Sequence, residues 1–197
     1  MLTALTERDI PQIVDLHFQV FPSDFLTGLG RPFLEQAFYP LFVTSPDGLG
    51  FVCEEEGQVL GYVVGSVDAG YFYRSLLINN FVLILQSVVR GCLNKPYFLI
   101  QVCKTIFAML SRRSSQLFPA ELAYVAVTQR ARGKKIAYDL CDKFLHSLRE
   151  NGVDGCWTKT RKDNIISNKL YTGLSFVKCQ EYIYNDTIWI EYGVKFR

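Results

Sequence analysis

The sequence predicts an α/β fold built on a mixed β-sheet, with elements in the order β-α-α-β-β-insertion-β-α-β-α-β-β. Three observations carry that reading. From Glu121 to Leu148, ELAYVAVTQRARGKKIAYDLCDKFLHSL joins a strand-length apolar run, Leu122 to Val127, to an amphipathic helix through a short basic turn. Ile136, Ala137, Leu140, Cys141, Phe144, Leu145 and Leu148 recur at helical spacing, so one face of that helix packs on a sheet. Two turn signals, Glu55-Glu56-Gly57 and Asn185-Asp186, each separate a pair of strand-like runs and predict hairpins on either side of this unit.

The remaining elements follow in chain order. Leu2 to Leu5 reads as an edge strand. Asp9 is placed to cap a first helix with Gln12 closing the box and Pro11 in the first turn, and Ile10, Ile13, Val14, Phe18 and Phe21 form its buried stripe. His17 lies in this helix with no acid evident nearby, so it reads as a packing or hydrogen-bonding histidine. Pro22-Ser23 stops the helix, and a second, aromatic-rich helical piece runs from Asp24 to Phe42. Ser45-Pro46-Asp47-Gly48 is a turn, followed by strands Gly50 to Glu54 and Gln58 to Val67. Tyr71 to Phe118 is an insertion with two apolar helical stretches, Leu76 to Val89 and Tyr97 to Leu110, broken by Asn94-Lys95-Pro96. Asn151-Gly152 ends the helix after the basic turn, Val153 to Thr160 is the next strand, and Asp163 or Asn164 opens a last helix that Gly173 closes. Phe176 to Tyr184 and Thr187 to Val194 make the closing hairpin.

Composition bounds the function. The 197 residues, 49% hydrophobic and 20% charged, suffice for a single domain with one good core. The net charge of +2 is dispersed, which gives no nucleic-acid footprint. Six cysteines lack metal-ligand spacing and read as free thiols in a reducing compartment, and MLTALTERDI is not a signal peptide, so a cytoplasmic location is expected. Neither insertion stretch is a transmembrane span, because Asn79, Asn80, Gln86, Arg90 and Lys104 interrupt the apolar runs. The insertion would serve as a homodimer interface, a lid over the acceptor or a foot on an anionic membrane surface, and its scattered basic residues rank dimer or lid packing first.

The turn before the central helix collects free backbone N–H groups, the positive end of the helix dipole, and Arg132, Lys134 and Lys135, a design that suits an anion with several phosphate oxygens. The segment Arg132-Gly133-Lys134-Lys135-Ile136-Ala137 resembles the coenzyme A pyrophosphate loop of the GNAT superfamily of N-acyltransferases, whose pattern is Gln or Arg, any two residues, Gly, any residue, then Gly or Ala. Arg132 and Ala137 match, and Lys135 replaces the central glycine. A second segment, Asn164-Ile165-Ile166-Ser167-Asn168-Lys169-Leu170-Tyr171 followed by Ser175-Phe176, resembles the superfamily's other signature, with Ser175 where glycine is usual. Asn164 and Tyr171 stand two helical turns apart, on one face that could look into a cleft. The two motifs occur in the family's order, separated by one helix and one strand.

The resemblance implies a sheet whose two central strands splay apart and admit the pantetheine arm of acetyl-CoA, the expected cosubstrate. It assigns cofactor contacts to Val125 and Val127 of the strand, to Arg132, Gly133, Lys134, Lys135, Ile136 and Ala137 of the loop, and to Asn164 and Tyr171. The backbone N–H of Val127 would face the thioester carbonyl. Glu121 would take a proton from the attacking amine, a role it shares with the plain alternative of a solvated strand-end charge, and Tyr171 would protonate the leaving thiolate. A cysteine acyl-enzyme through Cys141 or Cys156 is the mechanistic rival, and direct transfer is preferred because His146 falls opposite the apolar stripe. The expected function is N-acetyl transfer to a primary amine of a small molecule, sugar or protein. A catalytically weak acyl-CoA-binding or interaction module is the alternative, suggested by Lys135, Ser175 and the apolar insertion.

Overall fold

A computed structural model describes residues 1–94 and 118–196. The predicted helix from Tyr97 to Leu110 lies outside these residues. Seven strands form one sheet in the order β1-β2-β3-β4-β5-β7-β6: β1 Leu2–Ala4, β2 Gly48–Glu55, β3 Gln58–Ser66, β4 Ala120–Val127, β5 Gly155–Arg161, β6 Val177–Tyr184 and β7 Thr187–Lys195. Every neighbouring pair is antiparallel except β4 and β5. That parallel pair is joined only at Ala120↔Cys156 and Glu121↔Trp157. Beyond Glu121 the two strands separate, as the resemblance implies.

The hairpins are set by their turns. Glu56 and Gly57 take φ of 50° and 77° between β2 and β3, and Asn185 and Asp186 take 47° and 56° between β6 and β7. Paired positive φ values twist a two-residue turn to match the right-handed twist of its strands.

Helices cover both faces. On one face lie α1 Ile10–Val20, α2 Phe25–Leu29, α3 Arg31–Phe33 and α4 Tyr39–Thr44, followed by α5 Ala69–Asn79 and α6 Phe81–Asn94 of the insertion. Their core includes Ile13, Val14, Leu34, Phe38, Tyr39, Tyr62, Val64 and Phe72. On the other face α7 Ile136–Glu150 and α8 Ile165–Gly173 enclose Leu122, Leu140, Cys141, Phe144, Leu145 and Tyr171. Gly152, at φ 71°, ends α7, with its N–H donating to Arg149 O at 2.9 Å.

Three local expectations change. The first helix is entered through a 3₁₀ turn, Glu7–Asp9, where the Thr6 N–H and hydroxyl donate to Asp9 Oδ2 at 2.9 and 2.6 Å. Gln12, instead of closing a box, donates to Gly57 O and accepts from Val59 N–H, tying α1 to the β2–β3 turn. The single helix expected from Asp24 to Phe42 is several pieces, because Gly30 turns out at φ 91° and Pro40 lacks an N–H; a π-turn, Leu34–Phe38, absorbs the mismatch ahead of it. The helix expected over Leu76 to Val89 starts earlier, at Ala69, where Asp68 accepts from Tyr71 N–H, and bends by 79° at Asn80 into a second helix.

Which face each β4 residue presents is decided by one bulge. The register passes from Val64↔Tyr124 to Gly65↔Leu122, leaving Ala123 as the extra residue. Leu122 therefore faces α7, whereas Tyr124 and Ala126 join the α1 side. Gly65 permits this crowding, since a Cβ there would lie 2.1 Å from Glu121 O and 2.5 Å from the Phe144 ring. Gly65→Ala is expected to destabilise the fold by about 3 kcal/mol in urea unfolding, the upper range for overpacking a core. A loss near zero would mean that the bulge shifts freely.

Candidate active site

The open edge of β4 comes from hydrogen-bond alternation. Thr128 N–H donates to Leu60 O on the β3 side at 2.8 Å, so the N–H groups of Val127 and Val125, one and three residues earlier, point away from β3 toward the gap. They are the backbone donors that sequence reasoning assigned to the strand. Thr158, just past the parting point on β5, donates its hydroxyl to Leu122 O at 2.9 Å and bridges the start of the gap.

At the end of β4 the chain makes a 3₁₀ turn, Gln129–Ala131, pinned by the buried Ala131. Gly133 then takes φ 82° and Lys135, the N-cap of α7, takes φ 61° and ψ 7°. The lysine at the glycine position of the motif therefore keeps the left-handed backbone, at a cost of about 1–2 kcal/mol for a residue with a Cβ. After the Arg132 N–H, which donates to Gln129 O at 3.3 Å, the next N–H among the described residues to find a backbone carbonyl is that of Asp139, on Lys135 O at 3.0 Å. The N–H groups ahead of it, through Ile136 and Ala137, open onto the exposed Arg132, Gly133, Lys134 and Lys135. None of these three cations makes an ion pair among the described residues. Free N–H groups and unpaired cations in one turn are a combination that could hold phosphate oxygens.

The second motif repeats the pattern. Ser175, also at a glycine position, takes φ 67°, and Phe176 N–H donates to Tyr171 O at 3.0 Å. Tyr171 is buried with its ring 5.7 Å from Phe176 and 5.9 Å from Tyr192. Burial pushes its phenol above the usual range, and a hydrogen bond with Thr158 opposes that shift. The Tyr171 hydroxyl thus reaches the point where β4 and β5 part. Asn164 does not share its face: it precedes α8 and caps it, accepting from Ser167 N–H at 3.1 Å. Asn168, which the sequence reading passed over, donates to Arg161 O, Lys162 O and Asn164 O and accepts from the Tyr192 hydroxyl. Its spacing four residues after the cap was the available signal.

Glu121 is not a solvated strand end. It is 1% exposed, on the α1 face, with Oε1 3.8 Å from Lys159 Nζ. Its Oε2 has no hydrogen-bond partner among the described residues. Lys159 also stands 5.7 Å from the Trp157 ring. Glu121 and Tyr171 therefore approach the parting point from opposite faces of the sheet.

A third group of polar side chains was not foreseen. His17 is fully buried, with Nδ1 2.8 Å from the Tyr39 hydroxyl and 3.3 Å from the Tyr62 hydroxyl. Its Nε2 lies 4.0 Å from Asp24 Oδ2, which accepts from the Tyr124 hydroxyl of β4 at 2.8 Å. The acid near His17, not evident from sequence, is Asp24, brought back by the turn between α1 and α2. Burial lowers the His17 pKa to about 4 against the opposing pull of Asp24, so the ring is neutral near pH 7.

Comparison with known proteins agrees with this architecture. Residues 93–176 match the model of the acetyltransferase (GNAT) family. An N-acetyltransferase from Staphylococcus aureus Mu50 superposes with a TM-score of 0.65 at 14% identity, covering 99% of this chain and 97% of that one. A ribosomal-protein-alanine N-acetyltransferase from Brucella melitensis gives 0.63 at 17%, over 100% and 99%. The NatC complex bound to Gag peptide and CoA gives 0.63 at 13%, over 100% and 98%. At these identities the likeness is one of fold. No curated protein sequence matches the chain. The splayed mixed sheet flanked by helices is the GNAT fold of these structures. This chain has that fold, and the segment matching the GNAT acetyltransferase model, residues 93–176, contains both motifs.

The buried histidine makes stability pH-dependent with a definite sign. A pKa of about 4 in the folded state against 6.5 for the free side chain means that the unfolded chain takes up the proton first. Stability from His17 is full above about pH 6.5 and is lost as pH falls toward 4, by about 3 kcal/mol. In denaturant unfolding between pH 7 and 4, His17→Gln should lose that much less than wild type. Parallel curves for the two proteins would assign acid sensitivity elsewhere.

Proposed function

We propose that this protein transfers an acetyl group from acetyl-CoA to a primary amine, directly within a ternary complex. One observation carries the reading: the parting of β4 from β5 leaves the Val125 and Val127 N–H groups facing a gap that ends at the Lys135 cradle. Acetyl-CoA supplies a thioester and a pyrophosphate. The cradle residues Arg132 to Ala137 would hold the pyrophosphate, and Val125 would hold the pantetheine amide. Val127 N–H would donate to the thioester oxygen as negative charge gathers there. Glu121 takes the proton from the incoming ammonium through its unpartnered oxygen, directly or through water, while Lys159 holds the other oxygen. Tyr171 gives its proton to the departing sulfur. Asn164 supports the site from the α8 cap.

Direct transfer is favoured over a cysteine acyl-enzyme because burial raises both Cys141 and Cys156 well above the usual thiol range, and the exposed His146 pairs with Glu150 at 3.3 Å. The acceptor is a small-molecule, sugar or protein amine. The ribosomal-protein alanine named for the Brucella melitensis protein is one amine of this kind.

Calorimetric titration with acetyl-CoA and free CoA, followed by an amine library with thiol-release detection, tests the reading. Wild type should bind both ligands and turn over, and Lys135→Gly should still bind, because the left-handed turn is already formed. Binding to Lys135→Gly alone would mean that the lysine blocks the loop, and binding without turnover on any amine would favour an acyl-CoA-binding module. Tyr171→Phe should lower kcat by about a hundredfold, and Glu121→Gln by about a hundredfold or more, with little change in acetyl-CoA affinity. Unchanged kcat in either variant would remove that residue from the chemistry.

A further inference from the structure

We infer that the outer face of α5 and α6 is a foot that seats the protein on an anionic bilayer surface. Tyr71, Ile78, Phe81, Val82, Leu85 and Val89 are each between 52% and 66% exposed. In α6 the residues 81, 82, 85 and 89 follow helical spacing and form one stripe. The inner face is anchored: Phe72 and Leu76 are buried, and Leu83, Ile84 and Val88 pack against the α1-side core. The outer apolar side chains are therefore held out by a fixed scaffold.

Charge selects the occupant. Between Ala69 and Ala120 the chain has no Asp or Glu, although it has 19 of them elsewhere. The described part of this stretch, α5 and α6, holds Arg74 and Arg90 and is therefore net positive. Arg74, one turn from Tyr71 and Ile78 on α5, and Arg90, next to Val89 on α6, are both exposed. A second copy of this chain would press like charge against like charge across the same face. An anionic lipid surface accepts both features at once, apolar side chains at the headgroup boundary and cations among the phosphates. Among the described residues no single helix is long and apolar enough to cross a membrane. This inference is independent of acyl transfer, and its test uses no turnover.

Sedimentation of the full chain with vesicles of phosphatidylcholine alone, and of phosphatidylcholine mixed with phosphatidylserine, tests it at low and high salt. Wild type should sediment with the mixed vesicles at low salt and be released by high salt. Phe81→Ser combined with Leu85→Ser should abolish binding while leaving thermal unfolding unchanged, since both side chains are more than half exposed. Arg74→Gln and Arg90→Gln should each lower the partition coefficient about fivefold. No sedimentation of wild type at low salt overturns the proposal, as does equal binding to both vesicle types. A stable dimer by light scattering that the serine variant dissociates, without vesicle binding, would make a second copy the occupant instead.

Discussion

The structure depends on the parting of β4 from β5. A parallel pair inside an otherwise antiparallel sheet would normally continue its ladder, but here only Ala120 and Glu121 find partners on β5. The bulge at Ala123, made possible by the missing side chain of Gly65, re-aims β4 just after this contact. Leu122 is drawn into the α7 core and Tyr124 into the α1 core, so each face of the sheet holds β4 by its own hydrophobic cluster. Backbone donors that would cost free energy if buried unpaired are left facing an open edge instead. The gap is thus upheld by packing on both sides and needs no partner strand to define it.

Glycine motifs describe a dihedral angle more than a residue. Lys135 and Ser175 both occupy positions where glycine is usual, and both hold φ above 60°. A side chain in that region carries a penalty of about 1–2 kcal/mol, which the α7 and α8 packing can absorb. At Lys135 the exchange adds a positive charge to a turn that already presents Arg132 and Lys134. The backbone shape of the cradle and its charge are then set separately.

What could be read from the sequence was local. The strand, basic turn and amphipathic helix from Glu121 to Leu148 announce themselves because one period, first two and then 3.6, governs each segment. The hairpin turns were legible for the same reason. The bend at Asn80 was not, because α5 and α6 are apolar on most sides and give no periodic marker of where one helix stops. The polar cluster around His17 draws on residues 17, 24, 39, 62 and 124, which no spacing rule connects. Glu121 reads from sequence equally as a base or as a solvated strand end, because Lys159, its partner, arrives from a strand nearly forty residues later. Burial and ion pairing are properties of the closed sheet, and only the helix caps among the site contacts follow from neighbours in sequence.

The two-residue ladder between β4 and β5 also divides the sheet mechanically. Strands β1 to β4 are stitched by long antiparallel registers, as are β5, β7 and β6, but the halves meet through Ala120, Glu121, the Thr158 hydroxyl and the helix α7 that spans them. Such a seam is where cooperative units of unequal stability can come apart first. An extended molecule lying in the gap and bonding to its open edge would act as the missing strand. Occupancy and the rigidity of the whole sheet would then rise together, and slowed amide exchange would be felt on both sides of the seam at once.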